Sequence, residues 1–445
     1  MKIELAYGKD GLAVDLPDRD GIEVLRMRPM PPLADPGQSV REALAEPIGT
    51  APLSELARGK ESACVVISDI TRPVPNQVVL PPILQALQES GIRKEQITLL
   101  VATGIHRPNE GEELVCMVGA EIVREYRIVN HHCRIDGEMT YLGDTSGGVP
   151  VHVNSTFLAA ELHITTGLIE PHLLAGYSGG RKAICPGISS LGTVELLHGS
   201  DLVEDPRASG GKIAHNPFHE AALEIARKAR VDFIVNVALD EGHRITGVFA
   251  GDLEDAHLAG VQFVKRQVQA EVAEPVDIVV TTSAGYPLDL TYYQAIKGLT
   301  AALPILKPGA TIILAAQCAQ GIGGAEFTQL VLETESPEHF MDRVRQPGFF
   351  VVDQWMLEEL CKVLRKARVF LYSDGIPAEH RGKLLVEPAI SVEAAIEQAL
   401  AARGRDARIA VIPEGPYLLP VVRGSAQAEN RSPPGKAEQA ARLGQ

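Results

Sequence analysis

Short apolar runs of strand length alternate with polar loops along most of this chain. Three of them, 63–67 (ACVVI), 97–102 (ITLLVA) and 162–166 (LHITT), each open at once onto a polar loop, reading SDITRP, TGIHRP and GLIEPH. Their length and β-branched content predict strands. Between the first two, Leu80, Ile83, Leu84 and Leu87 follow helical spacing, with Asn76 placed to cap the helix and Gly91 to end it. That pattern is a βαβ unit. Ligands of open parallel sheets gather beyond the carboxyl ends of the strands, so Asp69, Arg72, His106 and His172 are expected to converge there.

The second half repeats the style, with strands expected at 276–282, 310–315, 368–372 and 407–412 and a helical pattern at 392–402. The fold class expected is α/β, with two doubly wound domains and the active site in the cleft between them. The first domain is expected over 1–272 and the second, Rossmann-like, over 275–420, joined by a linker at 272–275. The opening MKIELAYGKDGLAVDLP alternates polar and apolar residues around a glycine break, which predicts a hairpin rather than a signal peptide. The stretch 423–445, rich in Gly, Ser, Pro, Ala and charge, is expected to be a disordered tail.

Composition narrows the partners. The 445 residues carry 42 basic and 57 acidic side chains, a formal charge of −15, which argues against general affinity for nucleic acid or an anionic membrane. Anionic ligands must then be held by locally placed Arg and Lys. Cysteines at 64, 116, 133, 185, 318 and 361 form no CxxC pair, so neither a thiolate zinc site nor a disulfide framework is indicated. A reducing cytoplasm is the expected location. No apolar run approaches the roughly 20 residues needed to span a bilayer.

The stretch 167–187, GLIEPHLLAGYSGGRKAICPG, carries the densest chemistry. Ser178, Gly179 and Gly180 form a flexible turn just ahead of Lys182, where the backbone can approach a bound anion. Ala183 follows the lysine, so the hydroxyl of a P-loop is missing. Lys182 itself reads as a solvated cation, a phosphate ligand or a nucleophile toward an acyl or carbonyl group. Arg72 reads as a carboxylate clamp through its two parallel N–H bonds, or else as a partner of a capping Asp69. His106 and His172 occupy matching positions after strands, and imidazoles with an ordinary pKa of about 6.5 trade protons in either direction near neutrality. His198 closes a helix in TVELLHG, as a cation on the helix dipole or as a metal ligand. Tyr293, Gln294 and Lys297 share one helical face near the end of strand 276–282.

Taken together, SDITRP, GIHRP, EPHLLAGYSGGRKAICPG, ELLHG and YQAIK resemble the motifs of the nickel-dependent lactate racemase family, over about residues 3–422. The resemblance implies a nickel-pincer nucleotide, a nickel pyridinium-3,5-bisthiocarboxylic acid mononucleotide joined covalently to Lys182, with His198 supplying the remaining nickel ligand. It implies His106 and His172 as the acid/base pair. It places Arg72, Tyr293, Gln294 and Lys297 on the substrate and gives Asp69 an organising role in the active site, by the cofactor, while the turn of Ser178, Gly179 and Gly180 reads from its glycines as the cofactor seat. The partners implied are a small 2-hydroxy acid and the enzymes that mature the cofactor. Two alternatives stand beside this reading: a hydrolase whose metal is held by His106, His172 and His198, and a non-catalytic organic-acid binding protein.

Overall fold

The computed structural model describes residues 1–346, 348–404 and 406–424. Two compact units share the chain, and neither is continuous in sequence: one comprises 27–268 and 324–361, the other 1–26, 269–323 and the described residues from 362 to 424.

The unit holding 27–268 is built on a six-stranded sheet. In spatial order the strands are Ile245–Gly251, Phe233–Leu239, Leu162–Leu168, Ala63–Ser68, Ile97–Ala102 and Arg127–Asn130. All neighbours run parallel except the first pair. Val65 lies opposite Leu99 on one side and Ile164 on the other. Strands covered on both faces need apolar residues throughout, which is why Ala63–Ser68 reads as an unbroken hydrophobic run. The helix Asn76–Glu89 returns over this sheet, burying Val79, Leu80, Ile83 and Leu87 against Val65, Ile67, Leu99 and Val101. Each such side chain contributes about 1.5–3 kcal/mol by leaving water.

The ends of that helix differ in how well the sequence announced them. Asn76 is not the cap: Pro75 holds that position, and the Asn76 side chain makes no capping bond. With Asn76 only 2% exposed, it faces inward as the first helical residue. At the other end Gly91 takes φ +103°, its N–H reaching the carbonyl of Gln88 while the Ile92 N–H reaches Leu87. This is a Schellman ending, with Leu87 and Ile92 both buried in the same core cluster.

The second unit has an all-parallel six-stranded sheet, in the order Glu387–Pro388, Ala367–Tyr372, Leu306–Ala315, Val276–Thr282, Ile409–Ile412 and Ile22–Val24. The opening hairpin, Lys2–Leu5 with Leu12–Asp15, places Ile3, Leu5, Val14 and Leu16 in the same core as Ile278, Ile409 and Val411. The division therefore differs from an N-terminal domain over 1–272. Ile22–Val24 hydrogen-bonds to Ile409–Ile412, so the first 26 residues fold with the C-terminal ones. Residues 324–361, expected in the second domain, belong with the first unit, where Glu326 pairs with Arg134 and Trp355 meets His198. The expected linker is also structured at its start: Gln269–Val272 is a strand paired with Leu419–Val422.

All six cysteines are free thiols. Among the described residues no helix is long and apolar enough to cross a membrane. The expected tail, 423–445, lies outside the described residues from 425 onward. Because Leu5 is fully buried, Leu5→Ala should cost about 2–5 kcal/mol and lower the urea midpoint of the unit holding 269–323. An unchanged midpoint would place the hairpin outside the core.

Candidate active site

Loops at the carboxyl ends of three adjacent strands build the site in the unit holding 27–268. Ala63–Ser68 leads into Asp69 and Arg72, Ile97–Ala102 into His106, and Leu162–Leu168 into Glu170 and His172. Asp69 is 5% exposed. Its Oδ1 accepts the Thr71 hydroxyl at 2.7 Å and its Oδ2 lies 2.7 Å from Nδ1 of His106. Burial opposes ionisation of this carboxyl, but the bond and charge of His106, the Thr71 hydroxyl and the charge of Arg72 outweigh it, and its pKa lies below the ordinary value. Asp69 therefore accepts a proton-bearing Nδ1 and leaves the Nε2 lone pair of His106 as the basic atom.

His172 is held in the opposite sense. Its Nδ1 accepts the backbone N–H groups of Leu174 at 3.2 Å and Ala175 at 3.1 Å, so the ring proton sits on Nε2. That Nε2 lies 2.8 Å from Nζ of Lys182. The two expected acid/base histidines thus present different atoms to their surroundings: a lone pair on one, a hydrogen on the other.

Arg72 acts on Asp69 through its charge and has a further partner in Glu170. Its Nη1 donates to Oε1 of Glu170 at 2.5 Å, and Glu170 is 7% exposed. Glu170 carried no role in the sequence reading, although it stands in the EPH motif; its signal is a carboxylate two residues before the histidine at a strand end.

Beneath Lys182 the turn is tightly braced. The Ser178 hydroxyl donates to Leu168 O at 2.7 Å and accepts the Glu170 N–H at 3.0 Å, so it ties the strand end to the loop. The Gly180 N–H is committed to Oδ1 of Asn236 at 2.8 Å. Gly179 takes φ +78°, and a Cβ there would lie 2.8 Å from the same Asn236 oxygen. Gly179 is thus required by the close approach of Asn236 from the neighbouring strand, whereas at Gly180, φ +52°, a Cβ would lie 3.0 Å from the His257 ring. Arg181 points inward, fully buried, its Nη2 donating to the carbonyls of Ala175 at 2.6 Å and Tyr177 at 2.9 Å. Burial lowers its pKa to about 9, which leaves it charged at neutral pH. Side chains of adjacent residues diverge here, so the inward Arg181 leaves Lys182 half-buried at the surface of the turn.

Phe218, from the helix Pro217–Lys228, gathers the remaining groups. Lys182 Nζ lies 5.5 Å from its ring centroid, the His172 ring 6.5 Å and the His198 ring 4.9 Å. His198 ends the helix Leu191–Leu197, with its ring 4.5 Å from Trp355 and its Nδ1 donating to Val194 O at 2.8 Å. Burial lowers its pKa to about 3, so it is neutral rather than a cation on the helix dipole, and its Nε2 keeps a lone pair. Among the described residues no three His, Cys, Asp or Glu side chains are placed to hold a metal ion together, so His106, His172 and His198 do not form the cage that the hydrolase alternative requires. Neither Phe218 nor Trp355 was legible as a site residue, because an aromatic in an amphipathic helix reads as core.

Tyr293, Gln294 and Lys297 lie in the other unit, on the helix Tyr292–Ala302. Tyr292, Ala295, Ile296 and Leu299 face its core, which turns the three polar residues outward together. Oε1 of Gln294 is buried without a hydrogen-bond partner among the described residues.

Strand-end histidines, a buried aspartate behind one of them, and an arginine and lysine stand together in a parallel α/β framework of the kind enzymes use. The chain belongs to the lactate racemase family, a family of isomerases: the profile of the lactate racemase N-terminal domain matches residues 7–211 and that of the C-terminal domain residues 271–419. It is 36% identical over 421 residues to the lactate racemase of Thermoanaerobacterium thermosaccharolyticum, covering 94% of this chain and 98% of that protein. It is 38% identical over 380 residues to the lactate racemase of Lactiplantibacillus plantarum, covering 85% and 89% of the two. The structure of the T. thermosaccharolyticum lactate racemase apoprotein superposes with a TM-score of 0.89 over 95% of this chain and all of that one. A Thermotoga maritima protein of 18% identity shares the fold, with a TM-score of 0.68 over 88% of this chain and 99% of that one.

The depressed pKa of Asp69 gives a signed expectation. Its carboxylate contributes stability above the unfolded value of about 3.9, and that contribution is lost as pH falls through the lower folded value. Asp69→Asn should therefore lower the urea midpoint near pH 7 and progressively less below about pH 4. An equal penalty at both ends would remove the ionised carboxylate from the interaction.

Proposed function

We propose that this chain is a cytoplasmic racemase or epimerase of a 2-hydroxy acid, with lactate as the reference substrate. The observation that carries this reading is the complementary state of the two strand-end histidines, beside an arginine able to grip a carboxylate. The nickel-pincer nucleotide fits the residues present. A single neutral imidazole, His198, offers its Nε2 between aromatic walls, and among the described residues no three His, Cys, Asp or Glu side chains gather to hold a metal, which suits an ion whose other ligands arrive with an organic group. Lys182 would hold that group covalently, over the turn of Ser178, Gly179 and Gly180, with Asp69 organising the neighbouring loop. Maturation enzymes would supply it. When bound, it supplies an acceptor and donor of hydride beside the chiral carbon of the substrate.

The protein's own part follows from charge. Taking the Cα proton of a 2-hydroxy carboxylate would build a second negative charge next to the first. Taking the hydroxyl proton while hydride leaves the same carbon gives a neutral ketone instead. His106 accepts that proton at Nε2, and Asp69 stabilises the imidazolium formed. Arg72 grips the carboxylate through its fork, so the planar 2-oxo acid is kept for return of hydride to either face, and Tyr293, Gln294 and Lys297 would serve as further substrate-binding residues. His172 serves the other enantiomer. To accept a proton its ring must turn away from the amides of Leu174 and Ala175.

Replacing His106 or His172 by Ala should slow both directions by about 10²–10⁴-fold in a polarimetric assay. Near-normal turnover of His172→Ala would defeat the pairing. Arg72→Lys keeps charge but loses the fork, and should raise KM for the hydroxy acid about tenfold or more. Protein co-produced with maturation enzymes should carry nickel and a mass increment that maps to Lys182; samples lacking both that still interconvert enantiomers would overturn the reading.

A further inference from the structure

We infer that His172 has a second task before any cofactor is attached: it holds Lys182 as an uncharged amine, a nucleophile ready to take an acyl group. The argument is one of proton counting. Both backbone N–H groups on Nδ1 of His172 point hydrogens at that atom, so it bears none. The ring hydrogen is then on Nε2, and its partner at 2.8 Å is Nζ of Lys182. An ammonium has only hydrogens to offer and cannot accept from an N–H, whereas a neutral amine has one lone pair. The contact therefore selects the neutral amine. A charged Lys182 would require the ring to abandon both amides.

Phe218 lies 5.5 Å from Nζ, within cation–π reach, so the selection rests on the His172 contact and on a neighbouring charge. Arg181, the preceding residue, is a buried cation. Lys182 itself is only half-buried, so a small electrophile can reach it.

The consequence deepens the proposed function and rests on it. With a carboxyl or thiocarboxyl group of the cofactor, the Nζ lone pair forms the new C–N bond. One N–H proton then leaves with the departing hydroxide or hydrosulfide, as water or hydrogen sulfide. The nitrogen lone pair is then delocalised into the acyl group and can no longer accept from Nε2–H. Attachment thereby releases His172 from its holding contact, which frees the ring to turn for acid/base work.

The test uses the empty, full-length protein and acetic anhydride, read by peptide mass mapping. In that reaction Nζ attacks the carbonyl carbon, the bond to the acetate leaving group breaks, and the amine proton passes to solvent. At about pH 7.5 exposed lysines are almost wholly protonated, so Lys182 should acetylate roughly tenfold or more faster than they do. His172→Phe, which keeps an aromatic ring but has no Nε2, should slow Lys182 at least about tenfold while leaving the other lysines unchanged, a control for folding within the same map. Lys182 acetylating no faster than exposed lysines in the wild-type protein would overturn the inference without any variant. So would an undiminished rate in His172→Phe. Either failure, with nickel and an adduct on Lys182 still present after maturation, leaves the racemase reading standing and removes only this step.

Discussion

What sits on Nδ1 of each histidine governs everything else in the candidate site. A carboxylate there, as Asp69 is for His106, demands a hydrogen on Nδ1 and turns Nε2 into a base. Backbone amides there, as for His172, demand the reverse. Hydrogen bonds to charged groups are worth about 1.5–3 kcal/mol, enough to fix one tautomer by a factor of ten or more. The two settings come from ordinary local structure. Asp69 is the first residue past its strand and is held in place by Thr71, whereas His172 stands in a tight turn whose next residues fold their N–H groups back onto the ring.

A second constraint lies under the loop. A guanidinium without a carboxylate partner is costly to bury, and Arg181 offsets that cost with bonds to carbonyls of the turn and a contact with His257 at 2.9 Å. Those bonds run to Ala175, Tyr177 and Gly179, the residues that lie between His172 and Lys182. One inward side chain thus sets the path of the chain that brings a histidine and a lysine ten residues apart within hydrogen-bond reach. Asn236 completes the brace from the adjacent strand by taking the Gly180 N–H.

Much of this was legible in sequence because parallel sheets leave a simple trace. Buried strands are continuous apolar runs, functional loops follow them directly, and the turn at Gly91 obeys a local rule. Glu170, Arg181, Phe218 and Trp355 were not legible as site residues, since their roles depend on direction and burial and no local pattern encodes either. The placement of residues 1–26 was hidden for a related reason. A strand as short as Ile22–Val24 shows its period but not the sheet it joins, and only pairing with Ile409–Ile412 decides that. Asn76 misled because a residue type favoured at helix caps here fills a buried first-turn position after Pro75.

The same proton count separates an enzyme from a binding protein with an identical outline. A pocket that only holds an organic acid has no use for a carboxylate buried behind one histidine, because an uncompensated Asp69 opposes folding unless His106 or a neighbouring cation answers it. It has equally little use for His198, buried and neutral against Phe218 and Trp355, where an apolar residue would pack at less cost. Groups that are expensive to bury and poised in distinct protonation states are the arrangement expected where protons are moved rather than where an anion is merely stored.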